Sequence, residues 1–280
     1  MAKYVLSAFA DECSPQFDGQ IKGLLDNGVK FMEIRGIEGK GIADYPVGQV
    51  KEFRKKLDDA GLAVSSIGSP IGKYSLDASF DDHLEALRRN IECAHIFGTQ
   101  RIRMFSFYVT KDQLDEKRGE VMYRLGKMLD VAKAEDVLLC CENESRLYGE
   151  SPERSLDIWE YFGGEIRMIF DPANFIVNGY KTYPDAFHLL KDKIYYFHIK
   201  DATYEGKIRP AGDGEGGIPQ MIEELKDVDT EYYLTVEPHL QVFDGLDKLE
   251  NKAEPKKIVD QYASKPEAFA AAVAAIKRYI

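Results

Sequence analysis

Four short segments of the chain each end an apolar run with a side chain that can bind a metal ion. The segments are LLCCENES, MIFDPANF, YYFHIKDA and YLTVEPHL, and these side chains are Glu142, Asp171, His198 and Glu237. Successive members are 29, 27 and 39 residues apart, about one strand-plus-helix unit each time, so they could face one another across a parallel barrel. Carboxylate oxygens combined with one imidazole suit a divalent cation.

Three carboxylates and one neutral imidazole would surround such a cation and still leave room for water or for two oxygens of a substrate. A cation that contacts a carbonyl and a neighbouring hydroxyl makes the hydrogen on the shared carbon more acidic and stabilises the enediolate that forms when it leaves. A carboxylate on either face could then move the proton. The four residues therefore indicate a catalytic metal site rather than a closed structural one.

Apolar, strand-like runs alternate with longer amphipathic stretches along the chain. The 280 residues give about 35 residues per unit if there are eight units, which favours a closed (β/α)₈ barrel over an open doubly wound sheet with a glycine-rich first turn. We therefore predict an α/β protein, a single TIM barrel domain over residues 1–280. The eight predicted strands begin near Tyr4, Lys30, Ala63, Arg101, Val137, Ile166, Ile194 and Tyr232.

The predicted helices have recognisable ends. Ser79 can cap a helix that Gly98 terminates, and Ser151 followed by Pro and Glu marks a second helix start. A closing helix is predicted over residues 268–279. The polar and charged segment 241–263 is predicted to be an irregular excursion after the eighth strand.

Composition excludes several classes of protein. The formal net charge is -11, and Lys and Arg are scattered rather than grouped, which argues against binding to nucleic acid. No apolar run approaches the roughly 18 residues of a membrane span, and no signal-like segment begins the chain, so we expect a cytoplasmic protein. The four cysteines form no C-x-x-C pair and are expected to be core residues: Cys13, Cys93, Cys140 and Cys141.

The ENE, DPAN, HIKDA and VEPH segments, in this order on eight predicted units, resemble the sugar phosphate isomerase/epimerase family with a xylose isomerase-like barrel. The resemblance covers essentially the whole chain. It implies that Glu142, Asp171, His198 and Glu237 bind one divalent metal ion, and that the two glutamates also act as acid and base. Mn²⁺ is preferred, and Mg²⁺, Co²⁺ or Zn²⁺ would also accept these ligands. Barrels of this family frequently pair, which implies a homodimer.

The resemblance fixes the scaffold better than the reaction, because the family includes ketose 3-epimerases, hydroxypyruvate isomerases and inosose dehydratases. Our first expectation is a metal-dependent isomerase or epimerase of a small sugar, sugar phosphate or polyol-derived ketone. The alternative is an inosose dehydratase-like lyase in which Lys200 or Glu142 helps a β-hydroxyl to leave. A non-catalytic sugar-binding protein is a third reading. An endonuclease-IV-like nuclease is disfavoured, because His198 is the single histidine at a strand end and the chain is acidic.

Five further residues are predicted to contact a small carbohydrate substrate. Arg103 alternates with an inward Phe on the fourth strand, and Glu33 closes the second strand, although either residue could belong to an ion network instead. Asn174 stands where ketose 3-epimerases commonly have a histidine, and it could bind a substrate hydroxyl, as could Lys200. Arg209 precedes the glycine-rich stretch 210–216, whose backbone amides could approach a phosphate or sugar.

Three other polar residues lie close to these positions. Asp11 and Glu12 follow the first strand and are expected to be turn or helix-dipole residues. His239, two positions after Glu237, could supply an extra ligand or support the site from behind.

Overall fold

Eight parallel strands close into a barrel in the computed structural model, which describes residues 1–242, 257–258 and 262–280. Neighbouring strands follow chain order, and the eighth pairs with the first. This arrangement confirms the predicted (β/α)₈ fold, and each strand begins within one residue of its predicted start. The strands are β1 (Lys3–Ala8), β2 (Phe31–Ile34), β3 (Ala63–Gly68), β4 (Arg101–Met104), β5 (Leu138–Glu142), β6 (Arg167–Phe170), β7 (Ile194–Ile199) and β8 (Glu231–Val236).

Helices connect successive strands. In the described ranges they are α1 (Phe17–Asp26), α2 (Val47–Asp59), α3 (Phe80–Phe97), α4 (Leu114–Ala134), α5 (Pro152–Tyr161), α6 (Pro172–Val177), α7 (Phe187–Leu190), α8 (Ile218–Leu225) and α9 (Lys265–Lys277). None of these helices is long and apolar enough to cross a membrane.

The predicted helix ends are present as hydrogen-bonded caps. The hydroxyl of Ser79 accepts a bond from the third backbone N–H of α3, and Gly98 ends that helix with a left-handed φ of 70°. Ser151 caps α5 in the same way. The closing helix α9 starts earlier than the predicted 268, because Ser264 accepts a bond from the N–H of Glu267 and so sets the first turn upstream.

The strands separate two sets of buried side chains. Cys140, Ile169 and Tyr196 form a small cluster inside the barrel. Their neighbours in sequence, Leu139, Met168 and Phe197, belong to the larger core between strands and helices. Side chains alternate between the two faces of a strand, so the residue two positions after each inner residue also points inward. The residues that follow in this way are Glu142, Asp171 and His198.

Two small β-sheets lie outside the barrel, and they begin in the segments that follow β2 and β7. Gly36–Ile37 pairs with Lys40–Gly41 after β2. After β7, Asp201–Ala202 pairs with Lys207–Arg209, which pairs in turn with Lys257–Ile258. Most of the predicted excursion 241–263 lies outside the described residues. The four cysteines are all buried and form no disulfide bond, as expected of core residues.

Candidate metal centre

The structure brings together the four residues that the sequence singled out. Glu142 is the last residue of β5, His198 lies near the end of β7, and Asp171 and Glu237 directly follow β6 and β8. One ligand atom from each lies within 4.8 Å of the others, and all four residues are buried. Oxygen and nitrogen ligands of a divalent cation lie at about 2.0–2.6 Å from it, so atoms on opposite sides of one ion have this spacing.

The imidazole of His198 has two distinct sides. Its Nδ1 lies 3.1 Å from Glu142 Oε1 and 3.8 Å from Glu237 Oε2, and this buried nitrogen makes no hydrogen bond within the described part of the chain. Its Nε2 lies 3.3 Å from Glu33 Oε2. Burial opposes the positive charge, but the adjacent Glu142 and Glu33 raise the pKa of His198 to about 10. The Nδ1 side therefore favours a positive charge, either a proton or a cation shared with the two carboxylates.

Both glutamates of the quartet are held as carboxylates. Burial favours the neutral acid, but His198 and Arg103 outweigh it and lower the pKa of Glu142. The guanidinium Nη1 of Arg103 lies 3.0 Å from Glu142 Oε2. Burial acts on Glu237 in the same way, and Lys200 lowers its pKa well below the ordinary value. Each glutamate is therefore ionised and available to bind a cation.

Lys200 places its ammonium group inside the quartet. Its Nζ lies 2.8 Å from Asp171 Oδ2 and 2.8 Å from Glu237 Oε2, and its side chain is 1% exposed. Burial opposes its charge, yet Asp171 and Glu237 raise the pKa of Lys200 well above the usual value. A carboxylate oxygen has two lone pairs, so these ion pairs leave acceptor capacity for a further cation.

Hydrogen bonds between the ENE and DPAN motifs connect Glu142 and Asp171. Asp171 Oδ1 accepts a hydrogen bond from the backbone N–H of Asn174 at 2.9 Å, which caps α6. The side chain of Asn143 bonds both backbone groups of Asp171, at 3.0 and 2.9 Å. Asn174 Nδ2 also donates to Glu142 Oε1 at 3.2 Å. Sequence reasoning missed Asn143, although it is the middle residue of the ENE motif.

A second charged cluster adjoins the quartet through Glu237. Arg35 donates to Asp11, Glu12 and Glu237, with its Nη1 at 3.2 Å from Glu237 Oε1. His239 Nε2 lies 3.2 Å from the same oxygen. Burial, together with the negative charges of Glu237 and Asp11, raises the pKa of Glu12 to about 8 despite Arg35. Glu12 is therefore largely protonated at neutral pH, unlike Glu237 beside it.

Glu12, Glu237 and His239 also have ligand atoms within 4.8 Å of one another. Asp11 and Glu12 form a short 3₁₀ turn, as the expected turn residues would, but both also bind Arg35. Their ion pairs at the mouth were not predicted, because they depend on Arg35, which directly follows β2.

Two predicted substrate contacts, Glu33 and Arg209, lie in other surroundings. Glu33 is 1% exposed and sits behind His198, where it accepts a hydrogen bond from Tyr196 Oη at 3.1 Å. Arg209 lies at the end of the short strand Lys207–Arg209, directly opposite Asp201. Arg103, Asn174 and Lys200 contact the carboxylates of the quartet, whereas Glu33 contacts its imidazole.

Fold and site together define a parallel α/β barrel with carboxylates and one imidazole converging at the carboxyl ends of its strands. The chain belongs to the xylose isomerase-like TIM barrel family, whose sequence model matches residues 22–260. No curated protein matches the chain in sequence.

Solved structures share the whole fold at low identity. D-allulose 3-epimerase from Methylomonas sp. is 14% identical, with a TM-score of 0.73 and 100% of each chain covered. The probable 3-DHS dehydratase AsbF from Bacillus anthracis is 16% identical, with a TM-score of 0.70 and 98% of each chain covered. A xylose isomerase-like TIM barrel protein from Mycobacterium smegmatis, in complex with magnesium, is 14% identical, with a TM-score of 0.68; 99% of this chain and 96% of that chain are covered. At these identities the likeness shows the fold alone.

Proposed function

We propose that this protein is a divalent-metal-dependent isomerase or epimerase of a small sugar, sugar phosphate or polyol-derived ketone. The observation that carries the proposal is the buried quartet of Glu142, Asp171, His198 and Glu237, whose ligand atoms lie within 4.8 Å of one another. Family membership supports an enzyme, and the epimerase among the structural neighbours supports this reaction class. The magnesium bound to one neighbour supports a divalent cation, for which we prefer Mn²⁺.

The quartet would hold the cation, which when bound would polarise the substrate carbonyl and stabilise an enediolate. Glu142 and Glu237 come from β5 and β8, with two strands between them, so their carboxylates approach a substrate from different directions. One glutamate would take the proton from the carbon and the other would return it. Because His198 and Arg103 lower the pKa of Glu142 and Lys200 lowers that of Glu237, both are ionised at neutral pH.

The remaining residues either contact the substrate or hold the quartet in position. Arg103 and Asn174 hold the carboxylate of Glu142 and so orient the base, and both are candidates to reach a substrate hydroxyl. We assign Glu33 to the orientation of His198, because its carboxylate faces Nε2 and is buried there. Arg209 remains a candidate substrate contact at the rim. A cytoplasmic location and a homodimer remain predictions.

Lys200 favours a second candidate, a lyase that removes water from a keto-inositol or related ketone. The reaction would use the same proton abstraction but would expel a β-hydroxyl, which needs a proton donor. The ammonium of Lys200 lies within the quartet, 2.8 Å from two carboxylates, and could supply that proton. The dehydratase among the structural neighbours supports this alternative.

Proton NMR in D₂O distinguishes these functions. Metal-loaded protein would be incubated with a panel of ketoses, sugar phosphates and keto-inositols. We expect deuterium at the carbon next to the carbonyl, without loss of water, from at least one compound. A conjugated product that lacks a hydroxyl would establish the dehydratase. Saturable binding with no deuterium uptake by any bound compound would overturn both and leave a sugar-binding protein.

A further inference from the structure

The glycine-rich segment 210–217, which we term the glycine loop, wraps around a buried carboxylate. Asp201 directly follows Lys200 and is 0% exposed. Its Oδ2 accepts hydrogen bonds from the N–H groups of Gly212 at 2.8 Å and Gly214 at 3.2 Å. Its Oδ1 accepts from Gly216 at 2.9 Å and from its own neighbour Ala202 at 2.8 Å. Four backbone donors thus converge on one side chain.

The glycines are required for this convergence. A Cβ at Gly214 would lie 2.4 Å from Asp201 Oδ1, and one at Gly216 would lie 2.7 Å from the same atom. Gly212 has a φ of +84°, which side chains rarely adopt. The glycine-rich sequence therefore lets the backbone approach an anion closely, as the sequence suggested, but the anion belongs to the protein itself.

The position of the glycine loop in the barrel raises the question of whether it binds a phosphate group of the substrate. In TIM barrels the loops after the seventh and eighth strands, together with the start of a short helix, frequently bind the phosphate of a substrate. The glycine loop follows β7 and leads into α8 (Ile218–Leu225). Each N–H has one hydrogen to donate, and here three glycine amides already donate to Asp201. A phosphate in the same place would also be repelled by the carboxylate.

We propose that the carboxyl group of Asp201 is the built-in acceptor for the amides of the glycine loop, so that the loop positions Lys200 and does not bind a phosphate of the substrate. This inference rests on the proposed function and narrows the class of substrate. Because this rim of the mouth would offer no site for a phosphate group, the substrate would be an unphosphorylated ketose or polyol-derived ketone.

The loop reaches the quartet by two routes. Asp201 is adjacent in sequence to Lys200, whose Nζ pairs with Asp171 and Glu237. A Cβ at Gly216 would lie 3.1 Å from Cβ of Pro172, the residue after Asp171, so the loop also packs against the start of α6. By fixing the backbone at both points, Asp201 acts as a positioning residue rather than as a catalytic one.

Amide hydrogen exchange with inorganic phosphate as the probe tests the proposal without any turnover. In the metal-loaded protein we expect the amides of Gly212, Gly214 and Gly216 to be protected and unaffected by phosphate. In Asp201→Ala we expect them to exchange about tenfold faster or more, and phosphate to restore their protection and raise the Tm. The matched control is Asp213→Asn, whose carboxylate lies on the same loop but pairs outward with Arg278 at 2.9 Å; it should behave as the wild type.

Phosphate-dependent protection of these amides in the wild type would overturn the proposal, whether or not Asp201→Ala folds. Slow exchange in Asp201→Ala without phosphate, or fast exchange that phosphate does not slow, would also overturn it. Should the enzyme turn over ketoses, a lower KM for the phosphorylated member of a matched pair would contradict the substrate assignment alone. Failure of the NMR experiment in D₂O would remove the proposed function and leave the exchange result standing.

Discussion

At the scale of single residues, the candidate site depends on pairing each carboxylate with a named partner. Arg103 faces Glu142, Lys200 faces Asp171 and Glu237, and Arg35 faces Glu237 from the other side. Buried carboxylates without such partners would take up protons and lose their negative charge. The pairs therefore preserve the charge that both metal binding and proton transfer need.

The two glutamates give the most direct test of the mechanism. We expect Glu142→Gln and Glu237→Gln to fold normally and to lose at least about 100-fold in turnover, because each change keeps the size of the side chain and removes its basicity. Deuterium exchange into the substrate measures the loss. Glu165→Gln, which removes a surface partner of Lys133, is the matched control and should retain activity. Normal exchange in either site variant would contradict the two-glutamate mechanism.

Glu33 should act on the metal rather than on the substrate. Glu33→Gln keeps an acceptor for His198 Nε2 but removes the negative charge behind the imidazole, so we expect about 10- to 100-fold weaker metal affinity. Competition with a metal-binding dye measures the affinity. Tyr196→Phe, which removes only the hydroxyl on Glu33 Oε1, should have a smaller effect. If Glu33→Gln had an unchanged metal affinity and a raised KM for the substrate, Glu33 would be a substrate contact instead.

At the scale of elements, the sequence predicts what local patterns control and misses what tertiary contacts control. Strand starts and the ends of α3 were predictable, because apolar runs, Ser79 and Gly98 act within a few residues. The inward direction of Glu142 follows from the alternation of its own strand. The partners of Asp201 and Glu33 were not predictable, because they depend on how a loop and a neighbouring strand return to the mouth.

Helix α3 carries a buried histidine whose titration should affect stability. His83 Nε2 accepts a hydrogen bond from the N–H of Gly72 at 3.1 Å, and burial, aided by Arg124, lowers its pKa to about 4. The unfolded chain takes up the proton first, near pH 6.5, so His83 contributes stability above that pH that is lost as the pH falls towards 4. The loss should amount to about 3 kcal/mol.

Urea denaturation between pH 4 and 7 measures this contribution. His83→Gln keeps an acceptor for Gly72 but does not titrate, so its free energy of unfolding should fall less steeply than that of the wild type on acidification. Since all other groups are shared, the difference between the two profiles isolates His83. Parallel profiles would contradict the prediction.

At the scale of the whole molecule, the quartet links the second half of the barrel. Its members come from β5, β6, β7 and β8, which are successive neighbours in the sheet, and each lies at or just beyond the carboxyl end of its strand. The unfolded chain cannot hold these four side chains within one coordination sphere. A cation that binds the quartet must therefore stabilise the folded barrel as a unit.

Thermal unfolding should consequently depend on metal concentration. At 100 times its dissociation constant a cation adds about 2.7 kcal/mol, which corresponds to a rise in Tm of about 5 °C for a chain of this size. Mn²⁺ should produce this rise and a chelator should reverse it, whereas Glu142→Gln should show a much smaller response at the same concentration. Because the effect needs no substrate, it tests the metal site independently of the reaction. Equal Tm values with Mn²⁺ and with chelator would contradict the site, and would leave Lys200 as the cation that Asp171 and Glu237 bind.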